Sequence, residues 1–390
     1  MMSRLSIVMA LALWLLPAWG GAQGREGANL VEAVESAPLW QPERPWEVID
    51  VAIALDTSGS MQGLIDTTRL KLWEIVNDLH GAEPEPSLRV ALLTFGNGKS
   101  DSKAGWVRVE SDLTEDLDRV SERLFELISE GGTEYVGRVL HAALEGLSWT
   151  DSHDALRLVF VAGNEPADQD PEVDFREMSD LARREGIFVQ AVFCGSAEAA
   201  EAETWMELAE LAGGGFATID HRARAATRES PFDEELAALG ETLNETYVPL
   251  GEEGHERLKS RIAQDLNARE ASPATAAARA VAKGTRMEAP SWDLVSAVEE
   301  DAAYLYEVDE SELPEALREL SFEEREQLVE QMRLQRAELR QRIAALAAER
   351  RVFLGEQGQK GTQTAEGFDT VVRRTIREKA EERGFSFRDR

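Results

Sequence analysis

The run Val51-Ala52-Ile53-Ala54-Leu55-Asp56-Thr57-Ser58-Gly59-Ser60 decides the fold of this chain. Its first half is a continuous apolar stretch with the length of a buried strand. Its second half places one carboxylate and two hydroxyls at positions i, i+2 and i+4, and a helix-like stretch from Thr67 to Leu79 follows. Hard oxygen ligands at such a strand-to-helix turn suit Mg²⁺ or Mn²⁺ and leave room for waters and an outside ligand.

The same turn admits other interpretations. Ser58 or Ser60 could only cap the following helix, since Ser and Asp are favoured N-cap residues. A phosphotransferase aspartate loop usually has a second Asp two residues after the first, where this chain has Ser58. A P-loop needs Gly-Lys-Ser/Thr, and a serine-hydrolase elbow needs Gly on both sides of its Ser. Neither pattern occurs at this turn.

The turn resembles the start of the metal-ion-dependent adhesion site of the von Willebrand factor A (VWA) family, as found in integrin inserted domains, which begins Asp-x-Ser-x-Ser. Two later loops extend the resemblance. Gly131-Gly132-Thr133-Glu134 follows a helical stretch, and Thr133 matches the metal-binding Thr of the family. The strand-like run 156–161 ends in Ala162-Gly163-Asn164-Glu165-Pro166, where Asn164 matches the usual second Asp. Each loop alone could be an ordinary Gly-containing turn.

The resemblance implies a site for Mg²⁺ or Mn²⁺ built from five residues. These are Asp56, Ser58, Ser60, Thr133 and Asn164. The Asn164 amide oxygen can accept a hydrogen bond from a metal-bound water or ligate weakly, but it brings no negative charge. If Asp56 is the only nearby carboxylate, metal affinity falls and the ion attracts an incoming carboxylate more strongly. Glu165 or Asp168 could restore the charge.

Strand-like and helix-like segments alternate from Trp46 onward. This pattern predicts an α/β fold with a doubly wound, mostly parallel sheet and helices on both faces, VWA- or Rossmann-like, followed by an α-helical C-terminal region. In open α/β sheets, ligands bind outside the carboxyl ends of the strands. The loops that carry Asp56, Thr133 and Asn164 all fall at that end.

The chain divides into six expected segments. They are a signal peptide (1–22), an extended leader (23–45), a VWA domain (46–247), an acidic helical region (248–324), a long amphipathic helix (325–354), and a loop with a terminal helix (355–390). Arg4, the apolar stretch Ile7 to Leu16 and the small residues before a cut near Ala22 are typical of a secretory signal. A membrane anchor is the alternative, but the apolar stretch is short for a membrane span. We therefore expect a bacterial protein exported to the periplasm or the extracellular space.

Composition excludes several kinds of partner. The 390 residues include 74 acidic and 42 basic side chains, for a net charge of −32. This balance argues against DNA, RNA or an anionic membrane surface, because phosphate binding needs basic patches. Cys194 is the single cysteine, so it is either a buried thiol or pairs between chains. The five histidines form no zinc pair such as His-x-x-x-His, and we expect no catalytic residue.

The function that the resemblance implies is non-catalytic. We expect divalent-cation-dependent protein binding or adhesion, with a partner that presents an acidic residue. One alternative is a structural or assembly protein with a degenerate metal site, whose helical tail carries the interaction. A less favoured alternative is a metal-dependent hydrolase with Glu165 as its base.

The long helix of the tail carries apolar residues seven apart, Met332, Leu339, Leu346 and Phe353. Their expected partner positions include the polar Gln335 and Arg342, which argues against a strong coiled coil. An amphipathic helix that packs on its own domain, or on a second copy in a homo-oligomer, fits the pattern better.

Overall fold

The structure is a computed structural model that describes residues 48–79, 82–151, 155–220, 228–285, 287, 291–358 and 367–387. The expected signal peptide, its cut near Ala22 and the leader lie outside the described residues. The same holds for residues 359–365 of the expected C-terminal loop and for His80, His153 and His221.

In the described residues, eight strands form one large sheet and one small ribbon. They are β1 (Val48–Asp56), β2 (Ala82–Glu83), β3 (Ser87–Phe95), β4 (Arg108–Thr114), β5 (Leu156–Gly163), β6 (Phe188–Phe193), β7 (Gly215–Thr218) and β8 (Ser386–Phe387). The large sheet has the order β4-β3-β1-β5-β6-β7. All its neighbours are parallel except β3 and β4, while β2 and β8 pair antiparallel on their own. The predicted mostly parallel α/β fold is thus confirmed.

Thirteen α-helices surround the sheet or extend from it in the described part of the chain. They are α1 (Gln62–Leu79), α2 (Leu117–Glu126), α3 (Val136–Gly146), α4 (Phe175–Arg184), α5 (Ala202–Ala212), α6 (Asp233–Leu243), α7 (Gly251–Ala271), α8 (Pro273–Thr285), α9 (Leu294–Glu300), α10 (Tyr304–Glu307), α11 (Glu315–Arg318), α12 (Phe322–Gly358) and α13 (Phe368–Glu382). Among these residues, no helix is both long and apolar enough to cross a membrane.

The central strand β1 is buried on both faces, which explains its continuous apolar sequence. Ile49, Val51, Ile53 and Leu55 join one core with α1, α2 and α13. Ala52 and Ala54 point to the opposite core, which α3, α4 and α5 cover. Because successive side chains of a strand alternate between the faces, a single apolar run supplies both cores.

The carboxyl end of β1 lies at the point where the strand order of the sheet reverses, because β3 and β5 pair with β1 on opposite sides. β1 pairs with β3 on one side, with Asp56 opposite Phe95, and with β5 on the other, with Leu55 opposite Ala162. The loops after β1, β3 and β5 therefore meet at one edge of the sheet. A crevice at such a switch point is where open α/β sheets bind ligands.

The edge of the sheet differs in detail from the pattern in the sequence. β4 continues to Thr114, and α2 begins only at Leu117. Asp116 caps α2, since its carboxylate accepts a hydrogen bond from the Arg119 backbone N–H at 3.2 Å. Of residues 105–109, which the sequence suggests as a short edge strand, only Arg108 and Val109 belong to the antiparallel strand β4.

The C-terminal helices are built onto the sheet domain. α8 and α13 both pack against α1. Phe368, Val371, Val372 and Ile376 of α13 are buried in the same core as α1 and β1. The Thr375 hydroxyl donates to Gln190 Oε1 on β6 at 3.0 Å. The end of the chain therefore completes one face of the sheet.

Helix α12 packs along its own chain. Val329, Arg336, Ile343 and Arg350 repeat every seven residues and face inward, beside the predicted apolar row. Both rows are used: Leu346 is buried, and Phe353 makes an edge-to-face contact with Phe232. This arrangement is that of an amphipathic helix on its own domain.

Candidate metal centre

The turn after β1 holds the Asp56 carboxylate in a fixed orientation. The Ser58 backbone N–H donates to Asp56 Oδ1 at 2.7 Å. The Thr57 N–H and hydroxyl both donate to the Phe95 carbonyl, at 2.9 and 3.1 Å. These bonds tie the turn to the end of β3 and leave Asp56 Oδ2 without a hydrogen bond.

Two of the predicted ligands are buried together in this turn. Asp56 is 0% exposed and Ser58 is 4% exposed. The Ser58 hydroxyl, like Asp56 Oδ2, is buried and has no hydrogen-bond partner. Buried polar atoms are almost always satisfied in folded proteins, so both oxygens require a partner that this chain does not supply.

Ser60 and Asn164 form a second pair at the surface side of the turn. The Ser60 hydroxyl donates to Asn164 Oδ1 at 3.3 Å. Ser60 is exposed and Asn164 is half-buried. The structure thus brings these two predicted residues together across 104 positions of sequence.

The loop with Thr133 lies against the same turn. The Glu130 N–H donates to the Thr57 carbonyl at 2.9 Å. A Cβ on Gly59 would lie 3.6 Å from the Gly131 nitrogen. Thr133 itself is half-buried. The loop that carries Thr133 therefore lies beside the turn that carries Asp56 and Ser58.

The neighbouring residue, Glu134, is buried beside Asp56. Glu134 is 6% exposed, and its Oε2 atom is buried without a hydrogen bond. Gly96, with φ +73°, marks where the side chains meet: a Cβ there would lie 2.8 Å from Glu134 Cγ and 2.9 Å from Asp56 Oδ1. Sequence reasoning named Thr133 by resemblance and missed Glu134. The only signal in the sequence was its position directly after Thr133.

Burial raises the pKa values of both carboxyl groups. The pKa of Asp56 lies well above its ordinary value, first because of burial and then because of the Glu134 charge. Burial is also the main cause of the raised pKa of Glu134. A group in low dielectric favours its neutral form unless a positive charge is supplied. The two acids therefore lie in a place that disfavours negative charge in the absence of a cation.

The other acidic residues of this region lie further out. Glu165 is exposed, and its carbonyl accepts a hydrogen bond from the Trp205 indole at 2.8 Å. Its negative charge adds to the raised pKa of Glu134. Asp168 is exposed too. Both differ in this from Glu134, which is buried.

An aromatic rim adjoins the site. Trp106 and Tyr135 stack edge-to-face with ring centroids 5.4 Å apart. The Arg138 guanidinium lies 5.4 Å from the Tyr135 ring centroid and makes a bidentate bond to Asp170, at 2.8 and 2.9 Å. Because Tyr135 directly follows Glu134 in the chain, this aromatic pair lies at the end of the Thr133 loop.

The donor set fits a hard divalent cation. Asp56, Ser58 and Glu134 each hold a buried oxygen without a partner, and Mg²⁺ and Mn²⁺ prefer oxygen ligands. In the described ranges, this turn included, no group of three or more His, Cys, Asp and Glu side chains is placed to hold a metal ion. Any ion bound here would therefore rely on hydroxyl oxygens as well as carboxylates.

A family model, the von Willebrand factor type A domain, matches residues 50–226. A comparison with curated protein sequences found no match. Among solved structures, the SpRpn10 VWA domain is similar at 16% identity and a TM-score of 0.34, over 45% of this chain and 88% of that one.

Two further solved structures are similar at 16% identity. Proximal thread matrix protein 1 from the mussel byssus, with a zinc-occupied MIDAS motif, has a TM-score of 0.34 over 44% of this chain and 42% of that one. A von Willebrand factor type A protein from Catenulispora acidiphila has a TM-score of 0.35 over 46% and 40%. This chain thus spans about two fifths of each of these two proteins.

Likenesses this weak carry no argument about ligands or partners, so the assignment rests on the family model. That model covers the strands and loops that carry Asp56, Glu134 and Asn164. Residues 50–226 of this chain belong to the von Willebrand factor type A domain family.

Proposed function

We propose that this chain binds a protein partner through a divalent cation, Mg²⁺ or Mn²⁺, at the carboxyl edge of its sheet. One observation carries the proposal: Asp56 Oδ2 and Ser58 Oγ are buried side by side without a partner, in a turn whose backbone is fixed by hydrogen bonds. The VWA family often mediates metal-dependent protein interactions through such a site.

Each predicted residue has a role in this proposal. Asp56 and Ser58 hold the ion from the buried side. Ser60, Thr133 and Asn164 lie nearer the surface, where they contribute through direct or water-mediated contacts. A bound divalent ion supplies a positive charge to which a carboxylate of the partner is attracted.

The charge of the whole chain limits which partners are suitable. With a net charge of −32, the protein repels nucleic acids and anionic membranes at long range. An acidic side chain of a partner is attracted only where a cation reverses the local field. Binding of an acidic partner should therefore depend strictly on the metal, and we expect no turnover.

Export remains part of the proposal. The signal-like N-terminus supports a periplasmic or extracellular protein. Secretion of a fusion to alkaline phosphatase, which is active only outside the cytoplasm, would test it. Absence of exported activity would contradict this part alone.

A second candidate function is assembly through the helical tail. Its support is the set of large apolar side chains that α10 and α12 leave exposed. These are Tyr306 (68% exposed), Phe322 (39%), Leu334 (55%) and Val352 (62%). In that case, association of the chain would persist when the metal is removed.

The test is calorimetric titration of Mg²⁺ and Mn²⁺ into the protein from residue 23 onward, with Asp56→Ala as the paired variant. We expect heat for the wild type and none for the variant, at unchanged circular dichroism. Peptides that carry Glu or Gln at one position would then be compared in Mn²⁺ and in EDTA. Binding of the Glu peptide in EDTA, or hydrolysis of an ester panel, would contradict the proposal.

A further inference from the structure

Buried acidic residues in this protein follow a consistent rule. Seven of them are buried in the described part of the chain: Asp50, Asp56, Asp118, Glu134, Asp233, Asp293 and Asp369. Five are paired with arginine: Asp50 with Arg89, Asp118 with Arg261 and Arg279, Asp233 with Arg350, Asp293 with Arg336, and Asp369 with Arg373. The protein therefore compensates buried carboxylates with cations.

Asp56 and Glu134 are the two exceptions. Across the described ranges, no Lys, Arg or His forms an ion pair with either. Each has one carboxylate oxygen that is buried without a hydrogen bond. A buried charge is costly unless it is paired or coordinates a metal. These two groups, which meet at Gly96, therefore lack a cation that compensates their charge.

We propose that Glu134 supplies the second carboxylate of the cation site, in place of the neutral Asn164. The inference rests on the metal site of the proposed function and specifies which residues hold the ion. The buried oxygens of Asp56, Ser58 and Glu134 then bind the cation directly. Asn164 keeps a positioning role through its hydrogen bond with Ser60.

The geometry of the loops explains how Glu134, rather than Asn164, reaches the site as the second carboxylate. Gly132 lies so close to the 96–98 turn that a Cβ there would fall 2.6 Å from the Gly96 carbonyl oxygen. Glycines on both sides of the contact let the Thr133 loop approach the end of β3. This close approach brings the longer Glu134 side chain next to Asp56, while Thr133 stays half-buried.

The charge balance at the ion follows from the proposal. Two carboxylates neutralise a divalent cation, whereas Asp56 alone would leave one positive charge. With Glu134 as a ligand, the site therefore holds the ion tightly in the absence of any partner. The ion then attracts an incoming carboxylate less strongly than it would in a site with Asp56 and the neutral Asn164 alone.

The alternative is a purely structural role, in which the two acids share a proton. In that case the neutral amide of a Glu134→Gln variant would serve as well as the acid. Metal binding would then not depend on Glu134.

The experiment is a calorimetric titration of Mn²⁺ alone into four proteins: wild type, Glu134→Gln, Asn164→Asp and the double variant. We expect Glu134→Gln to weaken Mn²⁺ binding by at least about tenfold, since even outer partners of a metal site are worth roughly 10- to 100-fold. In the double variant, Asn164→Asp should recover most of that loss. Glu130→Gln is the matched control, because Glu130 lies in the same loop as Glu134, is 45% exposed and pairs with Lys99. The Mn²⁺ affinity of this variant should be within twofold of that of wild type.

Asn164→Asp on its own keeps the test valid if Glu134→Gln does not fold. With Glu134 already in place, this change should alter affinity less than about threefold; a gain above tenfold would overturn the proposal. Binding by Glu134→Gln equal to wild type would overturn it too, and so would binding by Asn164→Asp where wild type binds nothing. Wild-type affinity in Asp56→Ala would instead overturn the proposed site itself.

Discussion

Arg336 joins the long helix α12 to the rest of the protein, and its removal should be strongly destabilising. The side chain is 0% exposed. Its guanidinium donates to Asp293 Oδ2 and Ser296 Oγ at 2.8 Å each, to Thr246 Oγ1 at 3.1 Å and to the Thr246 carbonyl at 2.5 Å. Arg336→Met removes all four bonds and leaves the Asp293 charge, also 0% exposed, without its cation.

The magnitude follows from the unpaired charge. Removal of one partner of a buried pair costs about 3–5 kcal/mol. With an m-value of about 3 kcal/mol/M, the urea midpoint should fall by about 1–1.7 M. Asp293→Asn combined with Arg336→Met should cost less than Arg336→Met alone, because no charge is then left buried.

The assay is urea unfolding followed by circular dichroism and tryptophan fluorescence. Arg333→Met is the matched control: Arg333 is 40% exposed on the same helix and pairs with Glu330, so its loss should cost less than about 1 kcal/mol. A loss below about 1 kcal/mol for Arg336→Met would refute the reasoning. Separate transitions for helix and sheet would also contradict the inference that α12 is part of the same cooperative unit.

Two more predictions concern the C-terminal helices. Burial lowers the pKa of Lys283 to about 8, below its value in an unfolded chain, so the free energy of unfolding should increase as pH rises from about 8 to about 10.4. In urea titrations, Lys283→Met should lack this increase. The control Lys259→Met, at a side chain that is 76% exposed, should keep it. Ile376→Ala, at a side chain that is 0% exposed, should cost about 2–5 kcal/mol in the main unfolding transition. The same truncation at Val352, which is 62% exposed, should change little; equal effects at the two sites would contradict the packing of α13 on the sheet.

Much of the fold could be predicted because the deciding signals are local. The apolar run of β1 is long enough for a strand and is followed by a polar turn, and burial on both faces accounts for its composition. The helix α13 also has a local signal, since Phe368, Val372 and Ile376 lie about one turn apart. The place where α13 docks has no local signal in the sequence. An apolar face does not specify which other face it meets, and α1 lies nearly 300 residues earlier in the chain.

The site could be predicted only as far as its loops. Asp56 and Ser58 belong to one turn, so their proximity is set by short-range geometry. Thr133 and Glu134 are adjacent, and the choice of which side chain points inward depends on the backbone path of the loop. That path is set by the close approach of Gly132 to the 96–98 turn, a long-range contact with no pattern in the sequence.

The placement of Glu134 changes the expected origin of binding energy for an acidic partner. With two buried carboxylates, a divalent ion is neutralised before the partner arrives, while the chain around it carries a net charge of −32. Coulombic attraction to the ion is then short-ranged and must overcome repulsion from the rest of the surface, which salt screens over about 8 Å at 0.15 M. The rest of the binding free energy has to come from uncharged contacts such as the Trp106–Tyr135 rim, because aromatic side chains supply contact area at low entropic cost. Selectivity in this protein should therefore reside in the rim more than in the ion.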